Sequence, residues 1–162
     1  MSPDYSTLDV EVRAEQAVNY FKSGYNCAQA VYMAYADLFG MDPKTAAVIA
    51  APMGAGIGRM REVCGTVTGA ALIAGLAIPC DDPHDLASKT RCYALVQQVA
   101  DRFREANGSI ICRELLGVAP IKESPVPSPR TDAYYKKRPC VELVRMSATY
   151  IGEALKVFPS NS

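Results

Sequence analysis

Apolar residues recur at helical spacing along most of the chain. Val10, Ala14, Ala17, Val18 and Phe21 form one stripe, closed by Gly24, and Ala30, Val31, Ala34 and Leu38 form a second, closed by Gly40. In "MDPKTAAVIAAPMG", Asp42 is placed to cap and Pro43 to open a short third helix that stops before Pro52. "MGAGIGRM" reads as a glycine-rich connection leading into "REVCGTVTGAALIAGLAI", which is apolar all round and predicts a central helix. From Leu86 to Ala106 a long amphipathic helix is expected, with Cys92, Leu95, Val96, Val99 and Phe103 on one face. "CRELLG" is a short helix ending at Gly117. The late prolines of "VAPIKESPVPSPRTDAYYKKRP" rule out regular helix or central strand there. A last helix follows Pro139, with Val141, Val144, Ala148, Ile151 and Leu155 on one face. No convincing period-2 strand interrupts this pattern. The expected fold is an all-α, single-domain bundle of six to seven helices spanning 1–162. A Pro-rich loop (118–137) precedes the last helix, and residues 1–7 and 159–162 are expected to be flexible ends.

Composition narrows the function classes. With 49% apolar residues over 162 positions, the chain can build a core without disulfide staples. Its 17 basic and 17 acidic side chains balance, which argues against a broad nucleic-acid surface. The basic cluster "YYKKR" (134–138) reads as solvated surface. The longest apolar run, Val63 to Ile78, is shorter than the roughly 20 residues that span a bilayer, so no membrane insertion is expected. The opening residues lack a basic segment followed by an apolar one. A cytoplasmic location is therefore expected, and there six cysteines do not suggest a structural disulfide framework.

The cysteines are Cys27, Cys64, Cys80, Cys92, Cys112 and Cys140. None forms C-x-x-C, and there is no C-x-x-C-H for haem attachment, so any joint site must be assembled from distant helices. Cys27 follows Asn26, and Gln29 completes an Asn version of the capping box, which places the thiol on a first helical turn. Free amides and the helix dipole there favour a thiolate. Cys112 opens "CRELLG" beside Arg113, and Cys140 follows Arg138 and Pro139 at the start of the last helix. Cys64 lies just after Arg59 and Arg61, and Gly65 and Gly69 beyond it make a small face that admits a neighbouring backbone. Against these stands the plainer reading, in which cysteine packs as a small hydrophobe. Cys92, on its apolar stripe, reads as core, and Cys80, between Pro79 and two aspartates, as a turn residue.

"GYNCAQAV", "GIGRMREVCGTVTGA", "CRELLG" and "CVELV" together resemble the C-GCAxxG-C-C family, small helical proteins with four cysteines and a Cys-Gly-Ala-x-x-Gly motif. That family's redox label is itself inferred from its cysteines. The resemblance runs from about Gly24 to Val144 and, carried over by position, falls on Cys27, Cys64, Cys112 and Cys140. Thr66 stands where the family usually has Ala, and its hydroxyl is expected to bond back to a helix carbonyl. A similar domain in some multihaem cytochromes carries a non-haem iron centre, so the resemblance implies an iron–sulfur cluster as a candidate occupant.

Three functions follow. The first is a cluster, [2Fe–2S] for preference, bound by the four thiolates for electron transfer or sensing. Arg59, Arg61, Gly65 and Arg113 would then surround it. The second is a metal-free thiol–disulfide or peroxide enzyme using the same four cysteines as its catalytic residues. The third is a structural metal site on those cysteines, or a helical interaction module. A redox partner is implied but not named, and the small residues of the central helix suit a homodimer. His84 is the only histidine and reads as a turn residue, which excludes His-based metal triads. "GAGIG" lacks the strand and the Gly-Lys-Ser/Thr ending of a phosphate loop. Glu62, Glu114 and the Tyr134–Tyr135 pair lie near the candidate cysteines in sequence, with surface and ordinary packing as their plainer readings.

Overall fold

The computed structural model describes residues 3–158. Among them are eight α-helices and no strand: α1 (Val10–Lys22), α2 (Cys27–Ala36), α3 (Pro43–Ala50), α4 (Gly65–Ala77), α5 (Leu86–Asn107), α6 (Cys112–Leu116), α7 (Asp132–Lys137) and α8 (Cys140–Val157). A single isolated bridge joins Val63 to Ile111. The all-α expectation holds. The segments 1–2 and 159–162 lie outside the described residues, while Tyr5–Thr7 forms a 3-10 turn whose Tyr5 is buried.

Helix α2 is the centre of the bundle. Ala28 and every residue from Ala30 to Ala36 are buried, because α1, α3, α4 and α8 pack around it. Small residues allow this close packing. A Cβ on Gly152 of α8 would overlap the hydroxyl of Tyr35, which instead donates to the carbonyl of Ala148 at 2.7 Å. Ser147 Oγ donates to the Thr66 carbonyl at 2.6 Å and ties α8 to α4 in the core. The predicted stripes of α1, α5 and α8 supply the other walls: Ala14, Ala17, Val18 and Phe21, then Leu95, Val99 and Phe103, then Val144, Ala148, Ile151 and Leu155, all buried.

Three expectations need correction. The central helix begins at Gly65, not upstream of Cys64, so Cys64 is its N-cap residue. The Pro-rich segment is not irregular throughout, because α7 forms once the prolines end at Pro129. Thr131 caps it by accepting from the Tyr134 N–H, and Lys136 and Lys137 fill its last turn, where cations suit the dipole.

The glycine-rich connection is the third. Ala55, Gly56, Ile57, Gly58 and Arg59 all have φ between 54° and 73°, and Arg61 has φ 61°. The chain therefore winds left-handed over more than one turn, at about 1–2 kcal/mol for each non-glycine residue. Long-reach backbone bonds hold it, among them Gly58 N to Pro52 O at 2.8 Å and Glu62 N to Gly56 O at 2.9 Å. A second set ties its exit to α6: Cys112 N to Glu62 O at 2.6 Å, Arg113 N to Arg61 O at 3.1 Å and Cys64 N to Ile110 O at 2.7 Å. Strain of this kind persists only where the surroundings over-determine it, and it concentrates at functional sites.

Candidate functional site: a cavity ringed by four cysteines

Four helices begin at the same place. Cys27, Cys112 and Cys140 are the first residues of α2, α6 and α8, and Cys64 caps α4. All four line one cavity of ≈ 410 Å³, together with Gly65, Thr66, Tyr134, Leu143 and the arginines 59, 61, 130 and 138.

Each sulfur is placed by ordinary local chemistry. Asn26 Oδ1 accepts from the Gln29 N–H and Gln29 Oε1 accepts from the Asn26 N–H, both at 2.9 Å, which completes the predicted capping box. The same side chains donate to the carbonyls of Ala51 and Ala47, pinning the start of α2 against α3. Gly65 is required there, because a Cβ would overlap the Cys27 sulfur. Gly69, one turn on, lets the Ala28 backbone approach. The predicted small face of α4 is thus where α2 enters. Thr66 departs from expectation: its hydroxyl lies 3.2 Å from Cys64 Sγ, a contact an alanine could not make.

The electrostatics are one-sided. The left-handed segment delivers Arg59 and Arg61, both toward Glu123 of the Pro-rich loop. Arg61 is 4% exposed and holds Glu123 through two bonds, Nε–Oε2 at 2.7 Å and Nη2–Oε1 at 3.1 Å, while its Nη1 reaches Cys112 Sγ at 3.7 Å. Arg59 adds a contact with Glu123 at 3.5 Å and donates to the Ser124 carbonyl and to Ser128 Oγ. Pro125, Pro127 and Ser128 of the same loop line the cavity. Arg130 donates to the carbonyls of Phe21 and Tyr25, and with Arg138 it brackets the Tyr134 ring, at 5.0 and 4.5 Å from its centroid. Among the described residues no carboxylate pairs with Arg130 or Arg138. With four helix N-termini added, the cavity favours negative charge.

Burial acts the other way on the thiols. It pushes Cys64 up to about 12, with the neighbouring Cys27 adding to the rise and the Thr66 hydroxyl opposing it. It also pushes Cys140 up to about 12, again helped by Cys27 and opposed by Arg138. Cys27 is raised by burial as well, although the N–H groups of Ala55, Ala28 and Cys27 itself pull it down. The sequence argument for a thiolate at Cys27 is therefore corrected. The first-turn amides are present, but desolvation outweighs them in the free protein.

Other site expectations resolve individually. Arg113 does not line the cavity; it pairs with the exposed Glu62 at 2.8 Å. Glu114 bonds to Ser109 Oγ. Among the described residues, no three His, Cys, Asp or Glu side chains stand close enough to share one metal ion. A ready-made mononuclear site is thus missing, and the single-ion version of the structural-metal expectation loses its support. Sequence reasoning missed Arg130, Arg138 as a cavity residue, and Glu123. Their only signal was the density of Arg and Tyr within a Pro-rich segment too long for a simple turn.

The family model described as Putative redox-active protein (C_GCAxxG_C_C) matches residues 25–154. The chain belongs to that family. The match takes in all four cavity cysteines, the left-handed segment and the Pro-rich loop, and extends about ten residues beyond the expected end at Val144. No curated protein and no solved structure matches. No helix among the described residues is long and apolar enough to cross a membrane.

Proposed function

We propose that the cavity of this redox-family protein binds an iron–sulfur cluster, [2Fe–2S] by preference, through Cys27, Cys64, Cys112 and Cys140, for electron transfer or sensing. The observation that carries the reading is the convergence of four helix N-termini, each bearing a cysteine, on one arginine-lined cavity. The donor set fits: four sulfurs and no imidazole suit either common cluster type. The cavity has room as well, at ≈ 410 Å³ with all four cysteines on its lining. A cluster ligated by four thiolates is anionic, and the surrounding guanidinium groups and amides offset that charge. When bound, such a group supplies a one-electron redox centre.

The chain's own residues have separable tasks. Cys27, Cys64 and Cys140 must release protons before they ligate, so assembly is coupled to proton loss. Arg61 already stands at Cys112, its Nη1 3.7 Å from the sulfur, where it would face a bound anionic group. The loop held by Glu123 lines one side of the cavity through Pro125, Pro127 and Ser128. A metal-free dithiol enzyme on the same four cysteines is less well supported, because it needs an attacking thiolate and burial holds three of the four as thiols.

The deciding experiment is anaerobic purification and reconstitution with iron and sulfide, followed by the visible spectrum and iron and sulfide analysis. Stoichiometric uptake with charge-transfer absorption is expected, with loss or severe weakening in C27S, C64S, C112S or C140S. A colourless, iron-free protein would overturn the proposal. Should mild peroxide then remove two hydrogens between two of these cysteines, the dithiol reading would take its place.

A further inference from the structure

We propose that the cavity also holds a binding subsite for a small organic carboxylate with an apolar body, built from Arg138, Ser128 and Tyr134. Arg138 lines the cavity half-buried, and among the described residues it makes one hydrogen bond, from Nη2 to Ser128 Oγ at 3.4 Å. A guanidinium carries five N–H donors, so most of this one's are left without an acceptor. The other cavity arginines are engaged. Arg61 grips Glu123 and reaches Cys112, Arg59 holds the Ser124 carbonyl and Ser128, and Arg130 holds the carbonyls of Phe21 and Tyr25. No Asp, Glu or Lys is among the residues that line the cavity.

Ser128 adds a second donor. Its oxygen accepts from Arg138 and, at 2.9 Å, from Arg59 Nη2, which takes up both lone pairs. The hydroxyl proton is then turned away from both guanidinium groups. An oxyanion beside Ser128 would receive that proton's hydrogen bond together with the fork of Arg138, whose spacing matches the two oxygens of a carboxylate. Tyr134 steadies the fork, because Arg138 lies over its ring at 4.5 Å from the centroid and Arg130 at 5.0 Å. The rest of the wall selects the body of the ligand. Phe21, Leu115, Leu116, Leu143, Pro125 and Pro127 line the same space, which at ≈ 410 Å³ suits a small molecule. A bare inorganic oxyanion leaves that wall unfilled, whereas an aromatic or short aliphatic acid buries against it. Gly58, Pro125 and Pro127 are exposed as well as lining, so the cavity opens to solvent. The subsite requires the folded cavity and not a cluster.

The test is calorimetric titration of benzoate and hexanoate into the reduced, metal-free full chain at low ionic strength, with backbone amide shifts followed on an isotope-labelled sample. At least one of the two acids should fill a single saturable site, with shifts clustered at Ser128, Tyr134 and Arg138. Benzamide keeps the shape and loses the charge, and inorganic phosphate keeps the charge and loses the body. Each should bind at least about tenfold more weakly. Arg138→Gln should weaken the acid by about tenfold and Ser128→Ala by roughly threefold. If Arg138→Gln does not fold, Arg138→Lys, which keeps the charge and loses the planar fork, takes its place. The proposal is overturned by the absence of saturable heat for both acids, by benzamide or phosphate binding as tightly, by unchanged affinity in the folded Arg138 variant, or by shifts confined to another face. None of these outcomes depends on iron uptake, which the visible spectrum reads separately.

Discussion

At its N-terminal end α4 is capped by the buried Cys64, which lines a cavity shared with the Pro-rich loop, arginines and three other helix starts. Beyond its C-terminal end Cys80 lies half-buried in a loop with the exposed Asp81, Asp82 and His84. One helix thus separates four gathered cysteines from a single one that differs in local charge and in what covers it. A cysteine's chemistry follows its surroundings: the positive end suits retention of an anionic group, and the other end offers nothing to hold one.

The largest expected contrast is in alkylation. At pH 8, with an uncharged reagent and peptide-level mass spectrometry, Cys64 and Cys140 should react on the order of a thousandfold more slowly than an unstructured cysteine, as thiols raised to about 12 imply. Cys80 should be labelled well before them. Equal rates at the two ends would break the comparison.

A smaller effect is expected from Gly65→Ala, whose Cβ would overlap the Cys27 sulfur. Overpacking there should cost about 1–3 kcal/mol in a denaturant melt and abolish cluster uptake, leaving the labelling rate of Cys80 unchanged.

The raised thiols also set an alkaline limit. Their folded-state ionisation lies above that of the unfolded chain, so their contribution is complete below about pH 8.5 and is lost as pH rises toward 12. Each should steepen the fall in stability by about 1.4 kcal/mol per pH unit across that window. C64S should flatten the slope, whereas C80S should leave this contribution in place.

The smallest expected effect sits at the acid end. The Arg61 guanidinium, by hydrogen bond and then by charge, holds the Glu123 carboxyl below the usual carboxylate range. Its stabilisation is present above the unfolded value, about 4.3, and is lost as pH falls through the lower folded value. Glu123→Gln should remove that part of the acid dependence. By loosening the loop, it should also raise the alkylation rate of Cys112 and not that of Cys80.

Much of this architecture was legible in the residues. The stripes of α1, α5 and α8 and the caps at Asn26 and Asp42 depend on local rules, and the structure repeats them. Cys64 as an N-cap was not legible, since its side chain makes no capping bond and the apolar run hides the boundary. The left-handed segment was hidden for a stronger reason. Ala55, Ile57, Arg59 and Arg61 all disfavour positive φ, and only the contacts with α6 and the Pro-rich loop impose it. The meeting of Arg59, Arg61, Arg130 and Arg138 leaves no periodic trace, because the four come from two segments about seventy positions apart. Cys92 on its apolar stripe and Cys80 in its turn were legible, and both pack partly buried against the core.

The backward winding of residues 55–59 has a chemical consequence. Over that stretch five consecutive residues hold positive φ, the sign that D-amino acids prefer. Gly58 is exposed and shares that winding, so a chain assembled chemically with D-alanine there should melt later, by about 0.4–1 kcal/mol in stability, while L-alanine at the same position should melt earlier.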